Sequence, residues 1–317
     1  MDLAGRIRDY YFGYLTQLPT EKQFHYAARL HAWYQDERAT AVLHSLRPQY
    51  VPEFPADGVL REALENIVHN APTTAVNGHE LRAPYFTRYP SLRGIELALF
   101  RVRHWLAIYD IDARDALFNA VDEDKLTALE KKLLRDADAL RMLSTYAINF
   151  IYLYERVMLR QDGKDAIKLK RLYKIGKGYN LKDDEELRLC LYFYTHCIIA
   201  ESNFYEHKLP EFALPTYVKM LKRMQKIITK HYDRISLDNK LEFLVCCRLA
   251  DFADKLTGRI EDECQQSVSE EGTFLIDRHN AHAKTATKMS FAASEHRNVL
   301  YIMSQTPFKP IGQDDEQ

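Results

Sequence analysis

Glycine and proline are scarce in this chain, eleven of each among 317 residues, and no stretch of useful length alternates apolar and polar residues as a strand would. The few turn signals argue against a sandwich or barrel of short strands. Cysteine is also sparse. The five, Cys190, Cys197, Cys246, Cys247 and Cys264, are odd in number and four lie in apolar runs. They argue against a disulfide framework and for buried thiols in a reducing compartment. Neither charge dominates. Forty-four Lys and Arg against 45 Asp and Glu leave a formal net charge of -1, so no global field favours nucleic acid or membrane. No apolar run reaches the roughly 18 residues of a spanning helix. Asp2, Arg6, Arg8 and Asp9 interrupt the stretch in which a secretory signal would need an apolar core. A soluble cytoplasmic protein with no membrane span is therefore expected. Catalytic signatures are missing as well. The chain has no Gly-x-Ser-x-Gly elbow, no His-Glu-x-x-His and no Cys-x-x-Cys, and Gly176-Lys177-Gly178 lacks the third glycine and the preceding strand of a nucleotide loop.

What is present favours helices. Leu, Ala, Glu, Lys and Arg abound, and these are strong helix formers. The fold expected is all-α, a single domain over 1–312 with a soft boundary in a basic connector at 161–182 and a disordered tail at 313–317. Helices are predicted over 2–18 and, from a Thr20/Gln23 capping box, over 20–46, where Pro48, Pro52 and Pro55 end the second. Asp57 caps a short helix to His69, and 70–94 reads as a long loop rich in turn signals, suited to lie across a cavity mouth. Further helices are predicted over 95–109, from caps at Asp112 and Asp122 onward to Arg160, and over 184–202, 214–234, 237–256 and 294–304. The stretch Arg156 to Lys182 holds nine Lys or Arg against two Asp.

The most informative segment is Leu187 to Tyr205, almost wholly apolar yet carrying Thr195, His196 and Glu201. Polar groups in a buried helix must be satisfied or used. The structural reading bonds His196 to a backbone carbonyl and Thr195 to its own preceding turn. The functional reading makes His196 a general acid or base, since imidazole titrates nearest neutral pH. Thr195 and Ser202, seven residues apart, share a helix face while Glu201 points partly elsewhere, so one helix cannot complete a site. Leu97-Ala98-Leu99-Phe100 precedes His104 with the offset that Leu189-Cys190-Leu191-Tyr192 has to His196, the pattern of duplicated helical hairpins that stack as solenoids or close into a ring.

Leu189 to Tyr205, with its Thr195-His196 pair and its Glu201-Ser202-Asn203-Phe204-Tyr205 ending, resembles helices of poorly characterised bacterial α/α-toroid proteins. The resemblance continues through 241–249, the Glu271-Gly272-Thr273-Phe274 turn and Glu295 to Leu300. It covers roughly the last third of the chain. It implies an α/α toroid or incomplete helical barrel built from helical hairpins, with Thr195, His196 and His296 facing a central cavity.

Two further constellations stand out. Asp277-Arg278-His279-Asn280-Ala281-His282 offers a carboxylate and imidazoles at i, i+3, reasonable metal ligands in type. The helical zinc pattern is absent, however, so no metal and no cofactor is assigned. The alternatives are solvated loop histidines or a non-metal polar site completed by His296, beside which Glu295 and Arg297 either orient a substrate or serve as capping and salt-bridge partners. On 214–235, Lys219, Lys222, Arg223, Lys226, Lys230 and Arg234 oppose Tyr217, Leu221, Met224, Ile228 and Ile235, an amphipathic helix with a basic face. That face is either solvated or a phosphate contact.

The leading functional expectation is a polar central pocket that binds or transforms a small polar ligand. His196 or His296 would move the proton and Glu201, Asp277 or Glu295 would serve as carboxylate partner. Thr195, Ser202, Tyr205, His279, His282 and Arg297 complete the ligand contacts. The alternatives are a noncatalytic scaffold for a protein partner and a binder of nucleic acid or an anionic surface through the basic face.

Overall fold

A computed structural model describes residues 2–71, 80–160, 167–277 and 290–309. Every regular element among them is helical. In chain order these are α1 (Leu3–Tyr14), α2 (Thr20–Tyr34), α3 (Glu37–Tyr50), α4 (Asp57–Asn70), α5 (Ala83–Arg88), α6 (Leu92–Tyr109), α7 (Arg114–Ala120), α8 (Glu123–Arg135), α9 (Ala137–Leu143), α10 (Thr145–Tyr152), α11 (Leu169–Ile175), α12 (Asp184–Glu201), α13 (Leu214–Lys230), α14 (Leu237–Leu249), α15 (Thr257–Gln266) and α16 (Glu295–Gln305). A π-helical turn, Leu153–Met158, extends α10. The fold is all-α, and among the described residues no helix is long and apolar enough to cross a membrane.

Two compact units divide the chain. One comprises Met1–Leu46 with Glu201–Gln317, and the other Arg47–Ala200. In the first unit α16 packs against α1, α2 and α14. Its Val299, Leu300, Tyr301, Ile302 and Met303 are all buried, which marks a helix surrounded by others rather than one with a single apolar stripe. Helix α13 is the contrary case. Tyr217, Met220, Leu221, Met224, Ile227 and Ile228 recur at helical spacing and are buried, each large side chain worth about 1.5–3 kcal/mol on burial. In the second unit α4 packs on α6 and α7, and α6 on α10.

Several expected boundaries need correction. The helix predicted over 20–46 is broken at Gln35, which takes the left-handed conformation at φ 56°, and the Asp36 carboxylate then caps α3 by accepting from the Arg38 and Ala39 amides. No glycine or proline announces that break. Pro48 does not stop α3, because a proline in the last turn forfeits only one backbone bond. The Thr20/Gln23 capping box does not form. Thr20 already lies inside the helix, and Gln23 Nε2 donates instead to the Leu18 carbonyl at 2.7 Å. The expected loop at 70–94 contains α5 and the start of α6; 72–79 lie outside the described residues. The stretch expected to run on to Arg160 divides at Asp136, which caps α9 through the Ala139 amide, and at Ser144, φ 45°. Helix α14 ends at Leu249 rather than 256, and Asp254 opens the unforeseen α15 by accepting from the Leu256 and Thr257 amides.

Gly94 shows how closely α4 and α6 approach. A Cβ built there would sit 2.3 Å from the Val68 carbonyl oxygen and 2.9 Å from its Cα. Backbone cannot yield as a flexible side-chain tip can. Gly94→Ala is expected to cost about 1–2 kcal/mol net, overpacking outweighing the gain in helix propensity, and urea denaturation measures it.

Candidate functional site

The second unit places His196 on α12 opposite α10. Its Nδ1 lies 2.8 Å from Asn149 Oδ1, and Asn149 Nδ2 donates to Glu96 Oε1 at 3.0 Å. The amide fixes the direction of the chain: with Nδ2 spent on the carboxylate, Oδ1 accepts, so His196 Nδ1 carries the hydrogen and Nε2 is the basic nitrogen of the neutral ring. Burial pushes the Glu96 carboxyl up to about 7, against the hydrogen bond from Asn149 and the nearby Arg93 and Arg82 charges. Its proton is therefore exchangeable near neutral pH. His196 Nδ1 is held by the Asn149 side chain. Thr195 does bond its own preceding turn, donating to the Tyr192 carbonyl at 3.3 Å.

The first unit assembles a different group around His296. Helix α2 supplies His25, whose Nδ1 lies 2.8 Å from Glu295 Oε1. The carboxylate accepts, leaving His25 Nε2 as the basic nitrogen. The two imidazoles stand edge to face with centroids 5.5 Å apart, and His296 Nε2 lies 3.9 Å from Glu242 Oε1 on α14. The glutamates form a buried floor, each side chain 2 % exposed, while His25 and His296 keep 37 % and 31 %. Burial, joined by the Arg29 charge, draws the His25 pKa down against the pull of Glu295. Burial works to raise Glu295, but His25, Arg29 and Lys22 together outweigh it and hold the carboxyl below its usual range. Around neutral pH the pair is a neutral imidazole oriented by a carboxylate, the arrangement of a general base with its positioning group.

The remaining expected site residues are distributed over the first unit. Glu201 is buried and accepts from the Tyr217 hydroxyl at 2.7 Å. Ser202 Oγ accepts from the Tyr205 amide at 3.0 Å, holding a turn in which Asn203, Phe204 and Tyr205 all have positive φ, a conformation costing about 1–2 kcal/mol per residue. Arg29 lies over the Tyr205 ring at 5.7 Å. Arg297 donates to Asp238 at 2.8 Å and approaches Asp277 at 3.9 Å, so Asp277 neighbours a guanidinium. His279 and His282 lie outside the described residues. Among those described, no three His, Cys, Asp or Glu side chains converge to hold a metal ion. All five cysteines are buried free thiols.

On α13 the basic face is solvent-facing. Lys219, Lys222, Lys226 and Lys230 are exposed and Arg223 is half-buried, with exposed Arg234 following in the next turn. A cleft of about 410 Å³ in the same unit is lined by Cys247, Arg248, Asp251, Asp254, Thr257 and Ser304; neither His25 nor His296 borders it.

Sequence reasoning thus named His196, Glu295 and His296 but missed Glu96, Asn149, His25 and Glu242. Three of the four carry the signal that singled out His196. Glu96 follows Ile95, Asn149 sits between Ile148 and Phe150, and Glu242 between Leu241 and Phe243, each a polar group in a buried run. His25 has only the cations Lys22 and Arg29 at helical spacing to mark it. No protein-family model, curated protein or solved structure matches the chain.

Proposed function

We propose that this protein binds and transforms a small polar ligand by acid–base chemistry at His25, Glu295 and His296. The observation that carries this reading is the 2.8 Å contact between a buried Glu295 and a His25 side chain that is 37 % exposed. A carboxylate that fixes the tautomer leaves Nε2 ready to take a proton from water or substrate. His296, 5.5 Å away and backed by Glu242, is the second proton-transfer group. Hydrolysis or elimination is the reaction class that needs only these groups. The helical-hairpin architecture proposed with it is an α/α toroid or incomplete barrel in a cytoplasmic protein. The buried thiols are consistent with a reducing compartment.

A panel of chromogenic esters, phosphoesters, glycosides and β-elimination substrates tests the chemistry. His25→Gln is expected to lower kcat/KM by about 10²–10⁴. Because the neutral imidazole is the active form, kcat/KM falls on the acid side as His25 protonates. Glu295 raises the His25 pKa, so Glu295→Gln moves that acid limb to lower pH. Turnover of no panel member, or full activity in folded His25→Gln and His296→Gln, removes the reading.

A further inference from the structure

In the second unit Arg82, immediately before α5, is 6 % exposed, and its hydrogen bonding within the described residues is one contact, Nε to the Met142 carbonyl at 3.1 Å. No described carboxylate pairs with it. A buried guanidinium without a counter-charge is costly, and burial draws even this strongly basic group downward. Pinning the Met142 carbonyl does not explain the charge, since a neutral amide could donate the same bond.

A second cation shares its surroundings. The Arg82 and Arg93 guanidinium carbons lie 5.2 and 4.6 Å from the centre of one ring, that of Tyr146 on α10. The ring face attracts both and offsets part of their repulsion. The nearest compensating acid is Glu96, 3.7 Å from Arg93 Nη1. Its carboxyl titrates near 7 and also accepts from Asn149, so it balances at most one of the two cations and near neutral pH only part of that one. Glu185, the other acid close enough to act on Arg82, is paired with Arg188 at 2.7 Å. The result is a partly buried surplus of positive charge presented by planar, fork-shaped donors, the geometry that suits phosphate and carboxylate.

We propose that Arg82 and Arg93, set against Tyr146, form a binding site for a small oxyanion, the phosphate or carboxylate group of a low-molecular-weight ligand. The site is independent of the His25 centre, and its test reads binding rather than turnover. The full-length protein is titrated calorimetrically with inorganic phosphate and, separately, with acetate, at ionic strength held constant with sodium chloride. Saturable binding of phosphate or of acetate supports the site, and the preferred anion identifies the group recognised. Arg82→Met and Arg93→Met are each expected to weaken that binding about tenfold or more, the equivalent of one lost charge-assisted bond. If Arg82→Met does not fold, Arg93→Met decides. Lys222→Glu/Lys226→Glu on α13 is expected to bind as the wild type does. No binding beyond that of chloride, wild-type affinity in Arg93→Met, or loss confined to the α13 variant overturns the proposal.

Discussion

Replacing Lys240 by methionine is expected to cost about 3–5 kcal/mol of unfolding free energy, the loss typical when one partner of a buried ion pair is removed. Lys240 on α14 is 1 % exposed. Its ammonium donates to both oxygens of Glu263 on α15, at 2.9 and 2.7 Å, and lies 3.9 Å from the centre of the Tyr232 ring. Burial draws the lysine pKa down, and the Glu263 carboxylate opposes that. Methionine keeps most of the volume and removes the charge, stranding a buried carboxylate. The double variant Lys240→Met/Glu263→Leu removes both charges and is expected to recover most of the loss, because an apolar pair of similar volume avoids the desolvation cost. Chemical denaturation of the wild type, single and double variants forms the cycle. A single-variant loss under about 1 kcal/mol, the range of exposed pairs, would show that the pair is wetter than its geometry indicates.

Alkaline pH is expected to destabilise the protein through Glu130 on α8. Burial, followed by the hydrogen bond and charge of Glu155 in the π-helical turn, pushes its carboxyl up to about 8. Both residues are 7 % exposed, and Glu130 Oε1 and Glu155 Oε2 are buried with no donor beyond the proton that the two carboxyls share. The folded state therefore holds a proton that the unfolded chain releases near its ordinary value of 4.5. The contribution of this group is full below that value, declines as pH rises, and reaches its floor once the folded carboxyl ionises near 8. Between about pH 6 and pH 9 the loss from this group is on the order of 2–3 kcal/mol. Glu130→Gln carries no titrating proton and should remove that component. The difference between wild-type and variant unfolding free energies at the two pH values isolates it from other alkaline titrations. Equal pH dependence in both proteins would mean that the pair is open to solvent.

Legibility in the sequence tracked the range of the interaction concerned. The amphipathic character of α13 could be read directly, since the spacing of Met220, Met224 and Ile227 against Lys219, Lys222 and Lys226 is a property of one segment. The break at Gln35 could not, because a non-glycine residue enters the left-handed region there and Asp36 caps the next helix, α3. The rule that a polar residue in an apolar run must be satisfied found His196 and would equally have found Glu96, Asn149 and Glu242. It names groups that need partners without naming the partners. His25 escaped because α2 is amphipathic and an isolated histidine beside its polar face looks ordinary.

The amino-acid order alone determined the all-α class, the placing of thiols in apolar runs and the two faces of α13, because hydrogen bonds between residues i and i+4 and a repeat of about 3.6 residues are local. The tertiary structure decided which side chains meet. His25 and Glu295 are 270 positions apart, and the unit that holds them is built from two separate stretches of chain. Such meetings depend on how α2, α14 and α16 pack. Packing answers to the shape and volume of many side chains together, which no local pattern records.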